Sequence, residues 1–505
     1  MTEAGRGIGD LMLLGVDIGT THIKARMYDE EGSFLGGVHR PTPTRRLPGG
    51  GAEYGASAIE RVVFEAIRQV SEQVGPPQAI GITSIGESGF LIDGEALVPA
   101  IAWFDGRTAP QAARWRERMD SFELFSRTGL HRAPLYSACK LEWLKENSLE
   151  AWKQTTGWLG IAEYVVFRMT GEKGTDPSLA SRTMLFRIDR GQWDEELCEL
   201  AGVPLELLPP VHGAGVCSGG LLASVAREIS APAGIPVAVC GHDHVCGAFG
   251  TGATKPGEVV DSIGTAEACL LTLHAPPPDK VGYDLNLSVG RHVLPKSFYL
   301  ATTLPESGGA VEWLLNLLNG REEDLSRWTD RAEALSPGEG GVFLPLLQGE
   351  DSKMALCALN KDGRPEHFLR AVLEGLTIEI DVALKRAATA AGIELAGLTL
   401  MGGGARNALW RQLKADASGL SVYTVSDLEC AARGAAMLVG VGDGTFADHD
   451  SVPAPKHEPD IHRPCGERDV YERLYYEVHE PLRSRLGRAR SAWLEVRQTS
   501  STSDV

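Results

Sequence analysis

Apolar positions along this chain repeat with two different periods, and each change of period marks an element. Leu11 to Asp17 is an apolar run ending on a carboxylate, with the length of a buried strand. Gly19-Thr20-Thr21 reads as a turn, Ile23 to Tyr28 as a second strand, and Asp29 to Gly32 turns the chain into a third, Ser33 to Val38. Three consecutive strands predict a meander rather than a strand-loop-helix unit. From Ser57 to Gln73 the period lengthens: Ile59, Val62, Val63, Ala66, Ile67 and Val70 share one face of a helix, and Gln78 to Ser84 follows as a strand. That succession is the signature of a mixed α/β domain.

The opening pattern returns in the middle of the chain. Glu258-Val259-Val260-Asp261-Ser262-Ile263-Gly264-Thr265 echoes Val16-Asp17-Ile18-Gly19-Thr20 with one residue inserted before the glycine, which suggests two similar domains facing each other. Helices are expected over Ala310 to Leu318 and His367 to Ala391, and a strand over Leu398 to Met401 running into Gly402-Gly403-Gly404. Beyond residue 445 come a stretch with Pro453, Pro455, His457 and Pro459, a helix from Glu467 to Arg488 and a Ser/Thr-rich end. A chain of 505 residues exceeds one hydrophobic core. We therefore expect an N-terminal domain over residues 11–250, a C-terminal domain over 251–445 and a peripheral helix and tail over 446–505.

Composition narrows the partners. The hydrophobic fraction of 43% and charged fraction of 23% are those of a soluble globular protein. A net charge of −18 works against nucleic acid or an anionic membrane surface, both of which require a basic field. It leaves nucleotides open, because a few backbone N–H groups, one cation and a metal hold phosphates locally. Nine scattered cysteines with no C-x-x-C pair indicate neither a disulfide framework nor a zinc site. No apolar run approaches the roughly 18 residues of a membrane span, and Met1 to Asp10 lacks a long apolar stretch. A cytoplasmic protein is expected.

Five segments carry candidate chemistry. Asp17-Ile18-Gly19-Thr20-Thr21 with Lys24 offers a close backbone approach, two hydroxyls, a cation and a carboxylate, the parts a polyphosphate with magnesium needs; it is equally a hairpin turn with a solvated lysine. No G-x-x-x-x-G-K-[ST] loop occurs, so a nucleotide would bind in some other manner. Gly402-Gly403-Gly404-Ala405-Arg406-Asn407, between a strand and a helix from Leu409 to Ala417, could lie flat against a purine or ribose with Asn407 hydrogen bonding, or be a tight turn that needs glycine. In Gly241-His242-Asp243-His244 the aspartate stands at the end of the apolar run Ile235 to Cys240, where α/β sheets present active residues. Asp243 could accept a proton from a hydroxyl nucleophile or cap a helix, and the two histidines raise a metal reading that lacks a third soft ligand. Trp103-Phe104-Asp105-Gly106-Arg107 and Gly86-Glu87-Ser88-Gly89 combine an aromatic face, carboxylates and a guanidinium, as a polyhydroxylated ligand requires. Trp103 could equally be core, and Asp105 and Arg107 an internal salt bridge.

Taken in order, these segments resemble the FGGY carbohydrate kinases, the family of glycerol kinase, xylulokinase, gluconokinase, ribulokinase and fuculokinase, from about Leu11 to Gly442. The resemblance implies an α/β, actin-like ATPase fold: two ribonuclease-H-like domains around a central cleft holding ATP and magnesium, with the sugar deeper. By position, Asp17, Gly19, Thr20, Thr21 and Lys24 match the family's first phosphate motif, Gly264 and Thr265 its second, and Gly402, Gly403, Gly404 and Asn407 its adenosine motif. Asp243 falls on the catalytic base, and Asp17 and Asp243 are the carboxylates expected at Mg2+. Glu87 and Trp103 match sugar-facing residues of glycerol kinase, and Asp105, Arg107, Tyr136 and His244 complete the expected substrate set. Family members are often dimers or tetramers, so a homodimer or homotetramer is implied.

This chain also departs from the pattern. Gly86 replaces the arginine of glycerol kinase, Leu135 occupies its tyrosine position, and His244 stands where glutamine or asparagine usually follows the catalytic aspartate. Glycerol is therefore disfavoured, and the absence of a Met-His pair around Gly86 disfavours D-xylulose. A ketose, a sugar acid or a small polyol stays open. The competing classes are an actin-like ATPase or chaperone, which has no need of Glu87, Trp103 and Asp243 in one pocket, and a non-catalytic sugar sensor, which has no need of Asp243 with both phosphate turns.

Overall fold

Leu13–Ile18 is buried at all six positions, as a strand covered on both faces must be, and it forms the centre of a six-stranded sheet. The computed structural model describes residues 11–277, 279–346, 353–456 and 461–489. His22–Tyr28 pairs antiparallel with Leu13–Ile18, and Phe34–Pro41 antiparallel with His22–Tyr28, the expected meander. On the other side Ala79–Ser84 pairs parallel to Leu13–Ile18, Pro236–His242 runs parallel to Ala79–Ser84, and Cys217–Gly220 closes the edge. The helix Ala56–Val74 connects the meander to Ala79–Ser84 and buries Ile59, Val63, Ala66, Ile67 and Val70 on its inner face.

The second half repeats the plan. Glu258–Ile263 pairs antiparallel with Glu267–Leu273 on one side and parallel with Gly397–Met401 on the other, with Phe298–Leu304, Ser288–Arg291 and Val422–Thr424 completing six strands. The short sequence echo therefore corresponds to equivalent central strands of two sheets. The long helix Pro365–Ala391 covers this sheet through Leu369, Val372, Leu376, Ile380 and Leu384.

The two halves share a core. Cys430–Gly442, late in the chain, lies across the first sheet, and a Cβ on Gly15 or Gly81 would overlap the carbonyl oxygens of Ala432 or Ala435. Only glycine permits a helix to approach strand backbone so closely. Leu13, Ala79, Ala238, Ala435 and Val439 form the resulting cluster.

The C-terminal helix departs from the expectation of a peripheral element. It begins at Arg468 and contains a π-helical turn over Leu474–His479. Tyr471, Tyr475 and His479, four residues apart, are buried, and the Tyr471 hydroxyl accepts from Arg370 Nη2 at 3.1 Å. An i, i+4, i+8 stripe, with Leu474 packed beside it, docks the helix. His457 and Pro459 lie outside the described residues. No described helix is long and apolar enough to cross a membrane.

Candidate active site

Three parallel strands end side by side, and the residues at their C-terminal ends form the floor of the site. Asp17 lies in register with Thr83, and Ser84 with His242, so the turns carrying Gly19, Gly86 and Asp243 emerge at one edge of the first sheet. Asp243 is the first residue of the helix Asp243–Gly250, and its Oδ1 accepts from the His244 N–H at 2.7 Å. Burial pushes the Asp243 carboxyl well above the usual carboxylate range, and the charge of Asp17 pushes it further. Burial likewise raises Asp17, whose Oδ1 has no hydrogen-bond partner among the described residues. Two largely buried carboxylates, one raised by the charge of the other and the other with an orphaned oxygen, are a donor set suited to a divalent cation.

Lys24 stands over this floor. Its ammonium is 3.3 Å from Asp17 Oδ2 and 2.7 Å from Glu429 Oε2; burial would lower its pKa, but the two carboxylates prevail and hold it charged. Thr20 Oγ1 accepts from Trp103 Nε1 at 2.9 Å, which ties the first turn to the predicted sugar-facing aromatic. Gly19 bonds the His22 carbonyl through its N–H, and Thr21 is exposed beside it.

The second turn is docked on the N-terminus of the helix Gly308–Leu317. The N–H of Ser307 and of Gly309 donate to the Thr265 carbonyl, and that of Gly308 to the Gly264 carbonyl, at 2.9 to 3.0 Å. Beneath it the Ser307 hydroxyl bonds Glu267, and Lys414 reaches both Glu267 and Asp261 at 2.6 Å. The Gly402 turn leaves the neighbouring strand, with φ +84° at Gly402 and open space above Gly403. Asn407 is engaged locally: its Oδ1 caps the helix Ala408–Ser418 through the Trp410 N–H, and its Nδ2 donates to Thr329.

The remaining predicted residues fall into two groups. Glu87, Tyr136 and His244 gather near Asp243: the charge of Glu87 raises both Asp243 and Tyr136, and the His242 and His244 rings are 5.4 Å apart. Burial holds both histidines below the usual imidazole range, hence neutral, and among the described residues they gather no third metal ligand. Asp105 and Arg107 instead satisfy each other at 2.6 Å; Asp105 also accepts from the Ala52 N–H and Arg107 bonds Glu53.

Sequence reasoning missed four residues. Arg182 pairs with Glu87 at 2.6 Å, and Lys140, driven down to about 8 by burial, donates to the Glu87 and Leu135 carbonyls. Tyr54 buries a hydroxyl that has no partner among the described residues and senses Asp243 and Glu87, and Glu429 holds Lys24. Only Arg182 left a signal: no acidic residue stands within four positions of it, so its partner had to be distant.

Comparison with known proteins accords with this geometry. Residues 12–250 match the N-terminal domain of the FGGY family of carbohydrate kinases and residues 260–442 the C-terminal domain. The chain is 28% identical to a xylulose kinase of Bacillus subtilis (strain 168) over 449 residues, 86% of this chain and 89% of the relative. It is 30% identical to a glycerol kinase of Geobacter sp. (strain M21) over 504 residues, 94% and 99% of the two chains. The crystal structure of a xyloylose kinase from Brucella ovis superposes with a TM-score of 0.84 at 25% identity, covering 95% of this chain and 100% of that one. The expected actin-like α/β fold is thus shown, and the chain belongs to the FGGY family of carbohydrate kinases, phosphotransferases that act on a hydroxyl of a sugar, sugar acid or polyol.

Proposed function

We propose that this kinase phosphorylates a terminal hydroxyl of a small ketose, sugar acid or polyol other than glycerol or D-xylulose, with Asp243 as general base. The observation that carries the assignment is that Asp17 and the largely buried Asp243 stand at the same end of one sheet, at the ends of the strands flanking Ala79–Ser84, with the charge of Glu87 acting on Asp243 and Lys24 paired to Asp17. In the reaction the acceptor oxygen attacks the γ-phosphorus of ATP, its proton passes to Asp243, and the bond to the β-phosphate oxygen breaks to release ADP. Lys24, the Gly19 to Thr21 turn and the Gly264-Thr265 turn neutralise charge on the transferring group. The Gly402 to Gly404 turn faces adenosine, and Asn407 sets the helix that follows.

Asp17 and Asp243 fit a magnesium ion, which when bound supplies positive charge for the phosphate oxygens. Trp103 offers its face to the C–H side of the acceptor, and Glu87, Tyr136 and His244 contact its hydroxyls. For Asp105 and Arg107 the mutual pairing favours a supporting role through Ala52 and Glu53 over direct contact. Gly86, Leu135 and His244 support exclusion of glycerol. A cytoplasmic setting accords with nine cysteines that are all free thiols. A homodimer or homotetramer accords with family habit.

The test is coupled ADP release with Mg-ATP and a panel of pentuloses, hexuloses, tetritols, pentitols, aldonates and glycerol, with Asp243→Asn as control. Turnover on one acceptor, lost in the variant, is expected. ATP hydrolysis indifferent to every acceptor would instead favour an ATPase, and acceptor binding without turnover a sensor.

A further inference from the structure

Glu87 is held in an unusual state. Its φ is +62°, in the left-handed region that an L-residue other than glycine adopts only under constraint. The constraint is visible: the Ser88 N–H donates to the Gly86 carbonyl at 2.7 Å, and the Glu87 carbonyl accepts from Ser137 Oγ at 3.1 Å and Lys140 Nζ at 3.2 Å. The backbone is pinned so that the side chain can point one way.

What it points at is Arg182. Nε donates to Glu87 Oε1 at 2.6 Å, and the closest ion contact, from Nη2, falls on the same oxygen. Arg182 is itself fixed from three sides. Its stem packs against Gly86, with Cγ 3.1 Å from where a Cβ would stand, its guanidinium lies 5.3 Å from the centre of the Tyr136 ring, and Nη1 donates at 3.0 Å to Ser288 Oγ in the second sheet. A side chain at position 86 would displace it.

We infer that Arg182 is a positioning residue for the acceptor sugar: it neutralises Glu87 and locks the carboxylate through Oε1, leaving Oε2 to accept a hydrogen bond from an acceptor hydroxyl. The inference rests on reading Glu87 as a sugar contact. Because Ser288 belongs to the other half of the chain, Arg182 also links that carboxylate to the second domain. The pair carries no net charge, so it suits a neutral ketose or polyol; the carboxylate of a sugar acid would meet Glu87 with its guanidinium already engaged.

The experiment measures KM for acceptor and for ATP, with melting temperature, in Arg182→Ala, Arg182→Lys, Glu87→Gln and the Arg182→Ala/Glu87→Gln double variant, using the best acceptor of the panel. Arg182→Ala is expected to raise acceptor KM roughly tenfold to a hundredfold, the worth of one hydrogen bond to a charged group, with ATP KM little changed. Guanidinium ion added to that variant should lower acceptor KM again. The double variant should be no worse than the worse single one, since both remove one unit. Arg182→Lys keeps the charge without the fork, so it should melt like wild type and still raise acceptor KM. An unchanged acceptor KM in Arg182→Lys and Arg182→Ala, multiplying effects in the double variant, or a wild-type preference for an aldonate over the matching polyol would each overturn the inference. If Glu87→Gln leaves acceptor KM unchanged, the reading of Glu87 itself falls; if Glu87→Gln raises it and Arg182→Ala does not, only the role of Arg182 falls.

Discussion

Lys24 Nζ lies 2.7 Å from Glu429 Oε2, an ion pair joining a strand of the first sheet to the residue before the helix Cys430–Gly442. The lysine expected to face phosphate is thus already gripped from the other half of the chain, with Asp17 as its second partner. Such a lysine is pre-oriented and charged before nucleotide arrives, which is what stabilisation of the transferring phosphoryl group requires. Lys24→Met is expected to lower kcat/KM for ATP by about 10²-fold and leave acceptor KM near wild type. Initial rates at varied ATP check this; an unchanged ATP dependence would return Lys24 to a purely structural ion pair.

Asp243→Asn should lower kcat by about 10² to 10⁴ with both KM values little changed, because the amide keeps the shape and loses the base. A pH profile adds a sign. The proposed base works deprotonated, so activity is expected to fall as pH drops through the pKa of Asp243, which burial and Asp17 hold above the usual carboxylate range. The wild-type acid limb should be absent from the residual activity of Asp243→Asn. An identical limb in the variant would assign it to another group.

The meander, the two-domain plan and the position of Asp243 were legible in the sequence because each is written locally. Leu13–Ile18 has a strand's apolar run, and Asp243 follows another. The helix at Ala56–Val74 was found within a residue of each end, since a wide apolar stripe is hard to mistake. What escaped was long-range. Arg182 and Glu87 are 95 positions apart and Lys24 and Glu429 meet only because a late helix crosses the first sheet at Gly15 and Gly81. Asn407 read as a nucleotide contact by type, whereas its amide is occupied as a helix cap and by Thr329. A side-chain type declares what it can bond, and the fold decides which partner is nearer.

Glu163 gives a stability prediction with a definite direction. Burial raises its carboxyl from 4.5 to about 7, against the opposing hydrogen bonds from Thr175 and the Gly160 N–H. A pKa higher in the folded state means the folded protein binds the proton more tightly. Its contribution is therefore complete below about 4.5 and is lost as pH rises through about 7. Glu163→Gln removes that titration and keeps one acceptor oxygen for the Gly160 N–H, while its amide donates to the Thr175 hydroxyl, which can turn to the Asp176 carbonyl. The stability of the variant relative to wild type should improve between about pH 5 and pH 8, by up to about 3 kcal/mol. Urea unfolding across that range decides it, and a flat difference would mean that Glu163 is ionised throughout.

The buried cluster under the Gly264-Thr265 turn, which we propose faces phosphate, predicts a coupled loss of stability and nucleotide affinity. Lys414 is 2% exposed and is the cation shared by Asp261 and Glu267, both fully buried, and Glu267 also takes the hydroxyl of Ser307, whose N–H holds Thr265. Even with Lys414 present, burial and Asp261 lift Glu267 to about 7. Lys414→Met leaves two carboxylates facing each other without a counter-charge, a loss of about 3–5 kcal/mol. With the cation gone the Glu267 carboxyl rises further, so the folded state must keep a proton that the unfolded chain releases. The deficit should therefore be larger at about pH 8 than at about pH 6, and ATP KM should rise as the Gly264-Thr265 turn loses its support. Adding Asp261→Asn and Glu267→Gln to Lys414→Met removes the stranded charges and should recover much of the stability. If Lys414→Met instead unfolds at the same denaturant concentration at both pH values, Lys414 is not the counter-charge that its geometry describes.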